Sequence, residues 1–432
     1  MKKTLADWLS WQETLHLSEI DLGLDRIREV AKRLDLLSPS FPIITIAGTN
    51  GKGSSVALFE SILKSQGYKT GSYTSPHLID YNERIKLDSV NTTDELIVKA
   101  FEEIDKARSA IDPISLTYFE FGTLAAMLIF TQQKVDIAIL EVGLGGRLDA
   151  SNLWDTSLAI ITSIGVDHID WLGDNREIIA IEKSGIMRKD TPVICGDLDP
   201  PHTISKEAKR IGAQLYQINN DFSYGKNDNN TWDWKGLDNS YTLPLPALSG
   251  EFQLNNSATV IAGLITIENI LKTNINNIKQ GLKNASIVGR LQTIHQQPEW
   301  LIDVAHNPHA AKQLAKHLNS NPVTGKTIAL FSMLKDKDIE QVITIMGLNI
   351  DEWHIVELEG SRSTKINDLE KAITEQTPDK TVKTHQSFLD ACKSLKSTSN
   401  LQDRVVAFGS FLVVSEVINA CHQIDGLGDK LK

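Results

Sequence analysis

Residues 41–67, FPIITIAGTNGKGSSVALFESILKSQG, constrain this chain more than any other stretch. The segment opens with a β-rich run, residues 41–47, that stops at Gly48. It closes with residues 54–66, where Val56, Phe59 and Leu63 recur at helical spacing and Gly67 supplies a C-terminal stop. Strand, glycine-rich loop and helix in that order predict an α/β layer with phosphate at the loop. Glycines let backbone amides approach phosphate oxygens, and the helix N-terminus attracts the anion. Lys52 adds a point charge, and a following hydroxyl can ligate magnesium. The spacing departs from GxxxxGK[ST]: Thr49 and Asn50 separate Gly48 from Gly51, and Gly53 follows the lysine. A Gly-rich turn with a solvated lysine is the alternative, and the strand–loop–helix context favours phosphate.

The rest of the chain continues the alternation of strands and helices, which favours parallel sheets. Residues 135–142 (VDIAILEV) and 157–164 (SLAIITSI) are nearly continuous apolar runs, as in strands buried on both faces. Between Gln217 and Tyr241 the composition turns polar, which reads as an excursion or a small antiparallel sheet. A second α/β series follows, with strands expected at 300–305, 327–332, 352–358 and 404–408, and a helix starting at Asn307-Pro308. A length of 432 residues exceeds one typical core, and a boundary near Gly289 gives two domains, 1–289 and 290–432.

The net charge of −11 argues against a nucleic-acid partner, which needs a basic face, but a few local cations suffice for a small anion. Cys195, Cys392 and Cys421 form no CxxC pair, so neither a structural zinc nor a disulfide framework is expected, and a reducing compartment fits. In the N-terminal stretch MKKTLADWLSWQETLH, Asp7 and Glu13 interrupt what a signal peptide would keep apolar. No apolar run is long enough to span a bilayer. A cytoplasmic protein with no membrane partner is expected.

Three further motifs carry chemistry. Glu141 begins EVGLGGRLD at the end of a buried run, where a carboxylate can hold magnesium. A tight turn with Glu141 paired to Arg147 is an equal alternative, and Leu148 stands where a GxGxxG fingerprint needs its last glycine. Asp167-His168 follows the next strand, and Glu182-Lys183 lies on an expected helix. Taken singly, these read as a turn residue and a solvated lysine, and imidazole suits magnesium poorly. Asp303-Val304-Ala305-His306-Asn307-Pro308-His309 ends a strand of the second series, with Gly289-Arg290 before it. An aspartate there can accept hydrogen bonds from a ribose and an arginine can stabilise phosphoryl charge, while the start of an Asn-Pro helix explains the same residues equally.

Taken together and in order, the strings IDLGLDRI, AGTNGKGSS, TSPHLIDYNERI, SLTYFEFGTLAA, LEVGLGGRLDASN, DHIDWLG, EKSGIMR, DVAHNPHAA and MLKDKD resemble the folylpolyglutamate synthase family of the Mur ligase group. The resemblance runs from about Ile20 to Val417 and is similar to the bifunctional bacterial form, with dihydrofolate synthase and folylpolyglutamate synthase activities. It implies a P-loop nucleotide-binding N-terminal domain with a mostly parallel sheet and a smaller Rossmann-like α/β C-terminal domain. It implies that Asn50, Gly51, Lys52, Gly53, Ser54 and Ser55 hold ATP, with Asn256, Arg290 and Asp303 also on the nucleotide. Two magnesium sites are implied: Ser54, Ser75 and Glu141 on the first, His168 on the second, with Lys183 carbamylated beside them. Lys52, His168 and Lys183 would carry the catalytic roles. Leu22, Gly23, Leu24 and Asp25, Pro76 and His77, Thr117, Tyr118, Phe119 and Glu120, and Leu148, Asp149 and Ala150 match segments that hold the pterin.

The reaction implied passes the γ-phosphoryl group of ATP to the carboxylate of dihydropteroate or a reduced folate. L-glutamate then attacks the acyl phosphate. A monomer is expected; the general base is unassigned, with His306 equally readable as structural. A monofunctional folylpolyglutamate synthase or another Mur-type ligase is the alternative. A phosphotransferase and a non-catalytic nucleotide-binding module are the rivals from other classes. Two stretches depart from the family pattern: Leu412-Val413 replaces a more polar continuation, and residues 249–253 lack a proline.

Overall fold

The structure is a computed structural model that describes residues 3–18 and 20–428; Met1 and Lys2 of the N-terminal stretch lie outside them. The chain divides into two compact units, Met1–Ala247 with Gln253–Ser286, and Leu248–Phe252 with Ile287–Lys432. Each is an α/β body with a mostly parallel sheet.

The strands of the first unit are β1 (Ile43–Ala47), β2 (Thr70–Tyr73), β3 (Ile85–Leu87), β4 (Val90–Asn91), β5 (Ile137–Glu141), β6 (Leu158–Ile161), β7 (Pro192–Cys195) and β8 (Gln214–Gln217). They form one sheet in the order β4-β3-β2-β5-β1-β6-β7-β8, antiparallel only at β3 and β4. The central strands β1, β5 and β6 are buried throughout, which is why they read as continuous apolar runs. β5 and β6 end earlier than their apolar runs, because the runs continue into the buried loop residues Val142, Thr162 and Ile164. Register then decides what meets at the carboxyl ends. Ile46 pairs with Glu141 and Ala47 with Ile161. The loop after β1, the carboxylate ending β5 and the turn after β6 therefore lie side by side.

The helix Lys52–Gln66 follows β1 and ends at Gly67, whose φ of 98° takes the left-handed conformation that suits a C-terminal glycine. A Cβ at Gly281 would overlap the Ile62 backbone, so the helix Ile275–Asn284 packs closely against it. The N-terminal stretch folds as the helix Leu5–Leu15, capped by Thr4 and Asp7, and buries Trp8 near Phe101 and Phe121. The polar region after Gln217 is the antiparallel alternative: β9 (Phe222–Lys226), β10 (Thr231–Gly236) and β11 (Asn239–Pro244) form a three-stranded sheet. Trp232 and Trp234 share its buried face, and Trp234 Nε1 donates to Ala258 O at 3.0 Å.

The second unit holds β12 (Gln292–Gln296), β13 (Glu299–Ile302), β14 (Thr327–Phe331), β15 (Glu352–Val356), β16 (Thr381–His385) and β17 (Arg404–Phe408). Their order is β12-β13-β17-β14-β15-β16, parallel except for β12 on β13. β13 stops at Ile302, so residues 303–305 belong to the loop beyond it rather than to the expected strand. Among the described residues no helix is long and apolar enough to cross a membrane.

Candidate active site

Gly51 is the N-cap of the helix Lys52–Gln66, with φ 89° and no side-chain cap. A helix N-terminus without a side-chain cap attracts an anion. Lys52, at the first helical position, folds back over the loop: Nζ donates to Gly48 O at 3.1 Å and Thr49 O at 3.3 Å. The same Nζ lies 4.0 Å from Glu141 Oε1. Residues after β6 lace the other side of the loop, with Thr49 N donating to Ser163 O (2.6 Å) and Thr162 Oγ1 to Asn50 O (2.7 Å). Sequence reasoning missed Thr162 and Ser163, whose only signal is that β6 neighbours β1. Asn256 packs on the loop, since a Cβ at Gly51 would sit 2.7 Å from its Oδ1. Asn256 Nδ2 donates to Gln253 Oε1 (2.9 Å), and Gln253 Nε2 to the buried Ser54 Oγ (3.2 Å).

Glu141 is only 6% exposed and accepts the Ser75 amide at Oε2 (3.4 Å), so Lys52, Ser75 and Glu141 converge. The expected alternative, Glu141 paired to Arg147, does not form. Arg147 pairs instead with Glu182 at 2.8 Å, and its amide donates to Glu182 O at 2.9 Å. Glycines permit this approach: a Cβ at Gly146 would lie 2.7 Å from Glu182 O, and one at Gly185 would overlap Arg147. The loop thus lies on the helix Arg176–Ser184 and helps bury Lys183, which is 4% exposed. Burial, and then the nearby Lys52 charge, push the Lys183 ammonium down to about 7 against the opposing pull of Asp167 and Asp149. His168 is exposed and left-handed (φ 54°), as the N-cap of the short helix Ile169–Leu172. Among the described residues no three His, Cys, Asp or Glu side chains form a ready metal site. The hydroxyls of Ser54 and Ser75 with the Glu141 carboxylate are hard oxygen donors, which fit magnesium.

In the segments assigned to the pterin, several polar side chains hold the backbone. Thr117 and Glu120 form a capping box for the helix Tyr118–Gln133. The buried Asp149 accepts from Leu144 N (2.8 Å), Ser151 N (2.9 Å) and Ser151 Oγ (2.5 Å), and its burial raises its carboxyl pKa. Ala150 is buried, while Leu148 and Pro76 are exposed. Glu83 accepts the Leu78, Ile79 and Asp80 amides, each at 2.8 Å, and so fixes the turn after His77. Arg84 Nε donates to His77 Nδ1 at 2.8 Å, and its guanidinium lies 5.5 Å from the Tyr81 ring and 5.4 Å from the Tyr118 ring. Burial, then the Arg84 charge, lower the His77 imidazole to about 4. Phe119 packs on Gly143, where a Cβ would lie 2.7 Å from the ring. The structure thus joins His77 and Tyr118 through Tyr81 and Arg84, which sequence reasoning did not single out as side chains, while Phe119 also packs on the Tyr73 ring at 5.7 Å.

Leu22, Gly23 and Leu24 precede the helix Asp25–Arg33, in which Asp25 is the first residue. A Cβ at Gly23 would meet nothing within 4 Å. Arg26, also missed, lies 3.3 Å from Glu120 Oε1.

In the second unit, Asp303 is 6% exposed and accepts from Leu291 N and Ala305 N, each at 2.8 Å. Burial raises its carboxyl, with the Arg290 charge opposing. Arg290 and His306 both flank the Phe411 ring, at 5.4 and 5.9 Å. Asn307 Oδ1 accepts the Ala310 amide at 2.9 Å and caps the helix Pro308–Ser320. The loop starts an Asn-Pro helix, as one reading of the sequence expected, and it also brings Asp303, Arg290 and His306 near one another beyond β13.

The Mur ligase middle domain matches residues 46–271, and the Mur ligase, glutamate ligase domain matches residues 289–411. The dihydrofolate synthase/folylpolyglutamate synthase of Haemophilus influenzae is 40% identical over 435 residues, spanning 95% of this chain and 96% of that protein. The Escherichia coli protein of the same name is 40% identical over 417 residues, spanning 96% and 94%. The structure of E. coli FolC in complex with DHPP and ADP matches with a TM-score of 0.92 at 39% identity, over 98% of each chain. A bifunctional folylpolyglutamate synthase/dihydrofolate synthase with Mn, AMPPNP and L-glutamate bound matches at 0.89 and 40%, over 97% of this chain and 98% of that one. The chain therefore belongs to the dihydrofolate synthase/folylpolyglutamate synthase family of the Mur ligase superfamily.

Proposed function

We propose that this chain is an ATP- and magnesium-dependent ligase that adds L-glutamate to dihydropteroate and to tetrahydrofolate and its polyglutamates. The observation that carries the reading is the meeting of Lys52, Ser75 and Glu141 beside an uncapped helix N-terminus, at the carboxyl ends of β1 and β5. Residues 50–55 hold the phosphates of ATP, and Lys52 neutralises charge on the γ-phosphoryl group as it moves to the substrate carboxylate. The amino group of L-glutamate attacks the acyl phosphate, an amide bond forms, and phosphate leaves. Asn256, Arg290 and Asp303 are assigned to the nucleotide. Magnesium, when bound at two sites, offsets phosphate charge; Ser54, Ser75 and Glu141 would hold one ion, His168 and a carbamylated Lys183 the other. A buried lysine next to Lys52 favours its neutral amine, the form that reacts with CO2.

The test is ADP release with dihydropteroate or tetrahydrofolate, each with and without L-glutamate. ADP release and an amide product with both pterins are expected. Turnover of tetrahydrofolate alone would leave a monofunctional folylpolyglutamate synthase. ADP without amide would indicate a phosphotransferase or NTPase, and nucleotide binding with no ADP a non-catalytic module.

A further inference from the structure

Residues 21–26 form a short loop closed at its neck by one guanidinium. Arg26 Nη1 donates to Asp21 Oδ2 at 2.6 Å, and Arg26 Nη2 to Asp21 O at 2.7 Å. Two planar donors on one residue fix direction as well as distance, which a lysine cannot do. Between the clamped ends lie Leu22, Gly23 and Leu24, and the N-cap Leu24 makes no side-chain cap of its own. The loop's shape therefore depends on Arg26.

The same Nη2 lies 3.3 Å from Glu120 Oε1. Glu120 is buried in the first turn of the helix Tyr118–Gln133, where its other oxygen accepts the Thr117 amide at 2.8 Å. A second tie runs in parallel. His16 joins Asp21 (Nε2 to Oδ2, 3.0 Å) and Ser115 (Nδ1 to Oγ, 2.7 Å), and Ser115 Oγ donates to Leu15 O at 3.0 Å. Residues 21–26 are thus fastened to residues 115–120 at two points, both meeting at Asp21.

We propose that Arg26 is a positioning residue for the pterin substrate: by bridging Asp21 and Glu120 it sets the spacing between residues 22–25 and residues 117–120. The inference rests on the proposed function, which gives both segments to the pterin. Arg26 touches neither ATP nor the reacting atoms in this scheme, so its loss acts on substrate binding through loop geometry. Displacing a positioning loop by a fraction of an ångström is enough to weaken binding severalfold.

The experiment is steady-state kinetics of the full chain with Arg26→Ala, Arg26→Lys and Asp21→Asn, with thermal melts alongside. Arg26→Ala should raise KM for dihydropteroate by about tenfold while KM for ATP stays within about twofold. Arg26→Lys should fall between wild type and alanine, because lysine keeps the charge and loses the fork. Asp21→Asn keeps residue size and should give the same KM signature, more weakly, which covers the case of an Arg26→Ala chain that fails to fold. An unchanged KM for dihydropteroate in folded variants would overturn the inference. So would an equal rise in KM for ATP, which marks general loosening. A wild type that turns over neither pterin would instead remove the proposed function, and the inference with it.

Discussion

After β1 the chain reaches the helix Lys52–Gln66 through a glycine N-cap with no side-chain hydrogen bond. After β13 it reaches the helix Pro308–Ser320 through Asn307, whose Oδ1 takes the Ala310 amide. Both are strand–loop–helix turns at the carboxyl end of a parallel strand. In the first, no side chain caps the helix, and Lys52 folds back over the loop toward Glu141. In the second, Asn307 and Asp303 take up the loop amides internally. The same backbone plan therefore leaves a helix N-terminus with no side-chain cap in one unit and one capped by Asn307 in the other. What decides is whether a side chain occupies the helix N-terminus.

The comparison breaks most directly at Lys52. Lys52→Ala should lower ADP release by ~10²–10³-fold, the scale of losing one preorganised charge at a transition state, while the melt is little changed. Near-normal turnover in this variant would remove the lysine from the mechanism.

Lys183 sharpens the contrast between charge used for function and charge used for stability. Its folded-state pKa is lowered to about 7 by burial and by Lys52, against 10.5 for a free lysine. The unfolded chain binds more protons between those values, so stability of the metal-free protein rises as pH climbs from about 7 toward 10.5, and the penalty is full below 7. Lys183→Met should therefore raise the melting temperature of metal-free protein at pH 6–7, with the gain shrinking by pH 10, and should abolish most turnover. Lower stability at pH 6 would contradict the sign. In Lys183→Ala, partial return of activity with a small added carboxylic acid would support the carbamate.

A smaller effect is expected at Gly51. Its φ of 89° disfavours a side chain, and a Cβ would displace Asn256 Oδ1. Gly51→Ala should raise KM for ATP, with a stability loss of about 1 kcal/mol from left-handed backbone strain. An unchanged KM for ATP would detach Asn256 and the loop amides from the nucleotide.

These particulars also mark what a sequence alone discloses. The buried strands and the glycine-rich strand–loop–helix turn were legible because apolar runs and glycines act locally. The partner of Arg147 was not, because Glu182 is distant in sequence and reaches it only where Gly146 and Gly185 allow two backbones to touch. Thr162 and Ser163 were hidden for the same reason: strand order, not spacing, puts them against Asn50. The polar stretch after Gln217 was ambiguous because its alternation is short, and its two buried tryptophans became informative only once paired as neighbours on β10. Assignments carried by resemblance divide in the structure. His77 and Tyr118 gather with Tyr81 and Arg84, while Thr117 and Asp149 turn polar atoms to nearby backbone and Glu120 divides its two oxygens between the Thr117 amide and Arg26.

The gentlest test falls on the second turn. Asn307 is 2% exposed, and its acceptor satisfies one of the amides that open the helix Pro308–Ser320. Asn307→Ala should cost about 1 kcal/mol of stability, the usual value of an N-cap, seen as a lower urea midpoint. Asn307→Asp keeps the acceptor and should recover most of that loss. If the cap is the residue's work, ADP release at saturating substrates should change less than twofold in either variant. A tenfold loss of turnover at unchanged stability would mean that the amides of this second helix serve a ligand as well. The two turns would then differ in which groups hold the anion, and not in whether one is held.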